Sequence, residues 1–217
     1  MSILKTLSFA AITSIASVFS VSAGTVDFGN PSGGDCTYGC VSTLQQIYDA
    51  DAFGASAVNI SSITNFAYGG TYSGSYDVFL STTNRSVETI SRTFADNRGD
   101  DFTLFASFTL SGDYARGDLV SFAGSFDYDP TAGDLLVEWV RTSANNRDYF
   151  LSNGRVGGSL SRAFSFNEGG SVYTTQDYGL ATRFETGEIS AVPLPAGFPM
   201  LLAGVAGFAL IRRRQSA

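Results

Sequence analysis

The sequence predicts an all-β fold, an antiparallel β-sandwich of jelly-roll type. Three observations carry that expectation. Apolar and polar residues alternate with period two in many short runs. Glycine-rich turn signals separate those runs. No long stretch with a 3.6-residue apolar period occurs between the two ends of the chain.

In chain order, STLQQIYDADAF (42–53) reads as a short helix or an edge strand. SYDVFLS (75–81) reads as a strand. In DFTLFASFTL (101–110), Phe102, Leu104, Ala106, Phe108 and Leu110 share one face. Thr103, Ser107 and Thr109 share the other, with Phe105 among them. In LVSFAGSFDY (119–128), Val120, Phe122, Phe126 and Tyr128 fall together. In LLVEWV (135–140), Leu135, Val137 and Trp139 oppose Leu136, Glu138 and Val140, so Trp139 is expected to face the core. SRAFSFN (161–167) is another candidate strand, and GLATRFET (179–186) sets Leu180, Thr182 and Phe184 against Ala181, Arg183 and Glu185. NPSGG, AYGG, NRGDD, SGDYARGD, DPTAGD, RVGG and NEGG supply the turns. Many short strands in a body of this size imply two packed sheets with a core of their own.

Composition narrows the chemistry. The chain of 217 residues carries a formal net charge of −7. Lys5 and Arg212, Arg213 and Arg214 sit at the ends, leaving nine arginines against all 20 acids between them, a net of −11. So acidic a body is unsuited to nucleic acid, whose phosphates need clustered cations. Histidine is absent, and Lys5 is the sole lysine. Ser-His-Asp and Cys-His catalysis, histidine-ligated zinc and lysine Schiff bases are therefore excluded. Carboxylate-pair chemistry such as glycoside hydrolysis, or a tyrosine nucleophile, stays open. By residue type the candidates are Glu88, Glu138, Glu168, Glu185 and Glu188, with Glu138 placed to point into a groove.

Other residue groups invite weighing. Cys36 and Cys40 in GGDCTYGC would form a tight-loop disulfide in an oxidising compartment; a metal site and a free or intermolecular pair are the alternatives. Asp127, Asp129 and Asp134 in FDYDPTAGD are candidate Ca²⁺ ligands, although the spacing is not that of an EF-hand. A plain turn, with Asp129-Pro130 starting the reversal, is the favoured reading of them. Asp96, Asn97, Asp100 and Asp101 form a similar cluster. Trp139 and the tyrosines could stack on sugar rings, with core packing the competing role. Asn59-Ile60-Ser61 fits a glycan-acceptor pattern.

The ends read as addresses. Lys5, a mostly apolar run from Leu7 to Phe19 and the small residues Val21-Ser22-Ala23 have the layout of a secretory signal peptide, cleaved between Ala23 and Gly24. That divides the chain into a signal peptide (1–23), an ectodomain (24–191) and a C-terminal segment (192–217). In the last, a helix over about 198–211 is expected to enter the membrane. The 15 uncharged residues from Gly197 to Ile211 span about 22 Å as a helix, against about 30 Å of hydrocarbon, so the span is marginal. The arginine cluster that follows stays cytoplasmic by the positive-inside rule, which places the body across the inner membrane, in the periplasm.

Val192-Pro193-Leu194-Pro195-Ala196, the short apolar segment and Arg212-Arg213-Arg214 together resemble the VPLPA-type variant of the PEP-CTERM sorting signal. Such signals occur in Gram-negative bacteria that make exopolysaccharide. The resemblance implies a precursor exported by the secretion machinery, cut by signal peptidase and held in the inner membrane. An exosortase, a membrane cysteine protease or transpeptidase, would then cut near the proline motif and deliver the protein to the cell surface or extracellular matrix. QQIYDADAFG, YDVFLSTTN, FADNRGDD and FDYDPTAGDLLVEW also resemble a pattern recurring in PEP-CTERM proteins, which implies fold and context rather than activity. The expectation is a non-enzymatic structural or matrix-associated protein with no obligatory cofactor. An exopolysaccharide-binding module and, further off, a glycoside hydrolase are the alternatives.

Overall fold

The computed structural model describes residues 24–36, 38–143, 149–154 and 157–189. The expected signal peptide, the VPLPA motif, the expected membrane helix and the terminal arginines lie outside these residues. Among the described residues no helix is long and apolar enough to cross a membrane.

The described chain is built of thirteen strands, all antiparallel where they pair. They are β1 (Gly24–Phe28), β2 (Gly33–Cys36), β3 (Thr43–Tyr48), β4 (Val58–Phe66), β5 (Gly70–Thr83), β6 (Thr103–Tyr114), β7 (Leu119–Tyr128), β8 (Asp134–Arg141), β9 (Tyr149–Gly154), β10 (Leu160–Ser165), β11 (Tyr173–Gln176), β12 (Tyr178–Leu180) and β13 (Thr182–Glu188). A 3₁₀ turn (Ala50–Phe53) follows β3, and a single α-turn, α1 (Phe94–Asn97), interrupts the β5–β6 connection.

Two large sheets face each other. One has the order β1-β13-β4-β7 and the other β11-β10-β3-β8-β5-β6; a small sheet, β12-β9-β2, lies beside them. One core fills the space between. From the four-stranded sheet it takes Phe28, Ile60, Ile63, Phe122, Phe126, Tyr128 and Phe184. From the six-stranded sheet it takes Leu44, Tyr48, Tyr72, Tyr76, Val78, Leu80, Leu135, Val137 and Trp139. The alternation explains this: β5 buries Tyr72, Gly74, Tyr76, Val78 and Leu80 and leaves the residues between them half-exposed. Each large side chain so buried stabilises the fold by about 1.5–3 kcal/mol before ordering costs.

Three sequence expectations need correction. STLQQIYDADAF is neither helix nor edge: Thr43–Tyr48 lies inside the sheet between β10 and β8, and its last residues form the 3₁₀ turn. The Gln pair in its middle hid a strand that is buried on both faces. In β6 the expected alternation breaks. Val78 pairs with Ala106 and Phe79 with Leu104, so Phe105 is an extra, bulged residue. Phe105 thereby turns inward while Leu104 is 52% exposed. The backbone of β7 closes against this bulge at Gly124, where any Cβ would collide with the Phe105 carbonyl. Finally, SGDY of SGDYARGD belongs to β6, and the reversal uses residues 115–118 instead.

Candidate functional site

β8 is central, and both of its faces are covered. Leu135, Val137 and Trp139 enter the main core, as the alternation implies, and Trp139 stacks on Tyr38 with 5.6 Å between ring centroids. On the opposite face Glu138 is buried as well, at 1% exposure. The β5–β6 connection, residues 84–102, lies over this face and explains how a carboxylate is tolerated there. Arg98 grips Glu138 with two charge-assisted bonds, Nε to Oε2 at 2.9 Å and Nη2 to Oε1 at 2.6 Å. Gln45 on the neighbouring strand donates to Oε2 at 2.6 Å and to the Phe94 carbonyl at 3.0 Å. Asn97, fully buried, donates to Gln45 Oε1 at 2.7 Å and to the Ser91 carbonyl, and accepts from the Ser91 amide. The hydrogen bonds to Glu138 hold the Arg98 pKa above its ordinary value against the opposing effect of burial.

The same clamp continues along the sheet. The Gly99 amide donates to Ser81 Oγ, and the Thr82 amide donates to Asp101. Asp134 accepts from the Ala50 amide at 3.0 Å and the Val87 amide at 3.1 Å, one on each oxygen. Burial raises its pKa, and the nearby carboxylates of Asp49 and Asp51 act in the same direction. Arg98 also lies over the Phe102 ring, which stacks on Phe79. The four segments QQIYDADAFG, YDVFLSTTN, FADNRGDD and FDYDPTAGDLLVEW thus meet at one place, the clamp that seats residues 84–102 on the sheet.

The remaining carboxylates have separate local tasks. Asp127 accepts from Asn59 at 2.7 Å across the β4–β7 pair. Asp129 accepts from the Thr131 amide and hydroxyl, which hold its pKa below the usual carboxylate value. With Asp134 turned to the Ala50 and Val87 amides, these three aspartates are not assembled around one point. Among the described residues no cluster of three acidic, cysteine or histidine side chains is positioned to hold a metal ion. Asp96 accepts from Ser91 Oγ, and Asp100 is exposed. Glu185 and Glu188 lie on β13 in the other large sheet, far along the topology from Glu138. Glu88 is exposed, and its backbone carbonyl accepts from Gln176. Both oxygens of Glu138 are occupied by Arg98 and Gln45, so its chemistry is that of a clamp. Asn59 is half-buried on β4, and Ser61 accordingly sits within a strand rather than a free loop.

Cys36 and Cys40 are bonded to each other, with Cα atoms 5.3 Å apart. The loop they close carries Tyr38 into the core, where it meets Tyr76, Phe108, Trp139 and Phe150.

Two clefts flank the β10–β11 hairpin, which period-two reading placed only as a strand. On the side shared with residues 84–102, a cleft of about 390 Å³ is lined by Ser42, Thr43, Arg92, Phe94, Ser165 and Glu168 among others. On the side facing β2, a cleft of about 200 Å³ is lined by Asp35, Cys36, Val41, Leu44, Arg162, Phe164 and Phe166. No signal in the sequence ties Asp35 to Arg162, which lie 127 positions apart yet form an ion pair at 2.6 Å.

No family model matches the chain, and no curated protein matches it.

Proposed function

We propose that this chain is a secreted, surface-sorted, non-enzymatic structural protein of a Gram-negative bacterium, built on a jelly-roll body. The observation that carries the reading is the tail: VPLPA, a short apolar segment and three arginines, following an N-terminal signal peptide layout. The prolines keep the motif extended and accessible, the apolar segment holds it at the membrane, and the arginines fix its topology. An exosortase then cuts near Ala196 and the body passes to the cell surface or matrix.

The body supports this reading in two ways. Two of its carboxylates, Glu138 and Asp134, are committed to clamping the β5–β6 connection to the sheet. Its strand order also suits a jelly roll. With the small sheet and the β10–β11 hairpin set aside, eight strands remain in the orders β1-β13-β4-β7 and β3-β8-β5-β6, a double Greek key.

Intact-mass spectrometry of the protein from membrane, surface and medium fractions tests the reading. The expected mass lacks residues 1–23 and the tail beyond the VPLPA region, and any excess identifies an attached group. A mass that extends to Ala217 in every fraction would overturn exosortase processing and leave a membrane-anchored periplasmic domain.

A further inference from the structure

The cleft between β2 and the β10–β11 hairpin has a composition that the structural role does not use. The six-stranded sheet is wider than the four-stranded one, so the inward face of β10 and β11 reaches past the main core. There it meets the small sheet instead, and the gap between the two is the cleft. Its wall is the ion pair of Asp35 on β2 with Arg162 on β10, their side chains 22% and 12% exposed. The guanidinium carbon of Arg162 lies 4.4 Å from the centroid of the Tyr178 ring and 5.0 Å from that of Phe164. Among the described residues only the Oδ2 oxygen of Asp35 accepts a side-chain hydrogen bond, which leaves Oδ1 to accept from a ligand. Phe164 and Phe166 line the cleft and touch each other and Tyr173 of β11, at centroid distances of 5.5 to 5.9 Å. Phe166 and Tyr173 are each half-exposed, an unusual position for such large rings to hold side by side on a soluble surface.

Exposed rings beside a fixed acceptor–donor pair suit a ligand that is apolar on its flat face and hydroxylated at its edge. A pyranose is such a ligand: its axial C–H groups pack on a ring face, and its equatorial hydroxyls bond to carboxylate and guanidinium. The volume, about 200 Å³, falls below the 300–1,000 Å³ typical of drug-sized ligands and suits one sugar unit of a longer chain. The ion pair is neutral overall, and the acidic body repels polyanions, so an uncharged glycan is favoured over an acidic one. We infer that this cleft binds a monosaccharide unit of a neutral polysaccharide. The inference deepens the surface-protein reading and rests on it only for where the glycan is met.

The test uses the full chain in mild detergent, titrated with a panel of neutral polysaccharides (a glucan, a mannan, a galactan and a xylan) by calorimetry and affinity electrophoresis. At least one is expected to bind. Phe166→Ala and Tyr173→Ala should each weaken that binding about tenfold with an unchanged melting temperature. Leu104→Ala, an exposed apolar change on β6, should leave it unaltered. No binding across the panel, or parent-like binding by both ring variants, would overturn the inference. So would a change of oligomeric state in those variants without any loss of glycan, which would make the rings an interface between copies. Processing at VPLPA is read separately by mass, so either result can fail without the other.

Discussion

Arg98 is more than one-third exposed, yet it neutralises a carboxylate that is almost wholly buried. That asymmetry sets the cost of each substitution. Removing an exposed partner from a surface pair is nearly free, whereas stranding a buried charge is not. Arg98→Ala should therefore destabilise the fold by about 2–4 kcal/mol in urea unfolding. Glu138→Gln keeps one acceptor for Gln45 or Arg98 and should cost about 1–3 kcal/mol. The double variant Arg98→Met with Glu138→Leu should recover much of the loss, because it removes both charges and leaves apolar volume. A double variant no more stable than Arg98→Ala would mean that Gln45 and Asn97, and not the charge pair, hold the segment. This clamp was only half legible in the sequence. Alternation put Trp139 inward and Glu138 on the opposite face, and both follow from period two alone. Gln45 and Asn97 carry no such signal: a neutral amide on a strand or in an acidic loop looks solvent-facing until another segment is laid over it.

At the scale of elements, β1 shows how an edge strand is held. Among the described residues its outer side has no neighbour in the sheet, and its inner side pairs with β13 over Gly24–Phe28. Asp27 and Arg183 stand directly opposite in that pairing and make two bonds, at 2.7 and 2.9 Å. The hydrogen bond to Arg183 lowers the Asp27 pKa below its ordinary value. A depressed carboxylate stabilises above its unfolded pKa of about 3.9, and that contribution is lost as pH falls through the lower folded value. Because the pair is half-exposed and screened, the effect is about 0.2–1 kcal/mol. The protection factors of the β1 amides, corrected for the intrinsic exchange rate at each pH, should therefore fall below about pH 4 in the parent and be already lower, with little further pH response, in Asp27→Asn. Equal pH dependence in both proteins would assign the fraying to another group. Asp134 works in the opposite sense: its raised pKa makes its contribution fall as pH rises through the folded value, and it acts on the 3₁₀ turn and Val87, away from β1. The strands β5, β6, β7, β8, β10 and β13 were legible from alternation and glycine turns, whereas β1, β2, β4, β9 and β11 were not read at all. The other failures are local: an inserted residue at Phe105 that shifts the period of β6, β3, whose glutamines disguised a central strand, and GLATRFET, which breaks at Ala181 into β12 and β13 of different sheets.

Across the whole molecule, one contiguous core runs between the two large sheets and receives Tyr38 from the disulfide loop. Residues of β1, β3, β4, β5, β7, β8 and β13 share this core, so no sheet can lose its packing without exposing the other. Such a body should unfold in a single transition, with tyrosine and tryptophan fluorescence and far-UV dichroism changing together. The Cys36–Cys40 bridge enters this balance weakly. It closes a loop of only a few residues, and loop-closure entropy gives such a bridge about 2 kcal/mol, well below what a long loop gains. Tyr38 is also held independently, between Trp139, Phe150, Tyr76 and Phe108, so its seat does not require the sulfur bond. Reduction should thus lower stability by about 2 kcal/mol and preserve a single, coincident transition. A reduced protein whose Trp139 fluorescence changes before its dichroism would show instead that the bridge alone keeps Tyr38 in place, and that the core is two units joined at that ring.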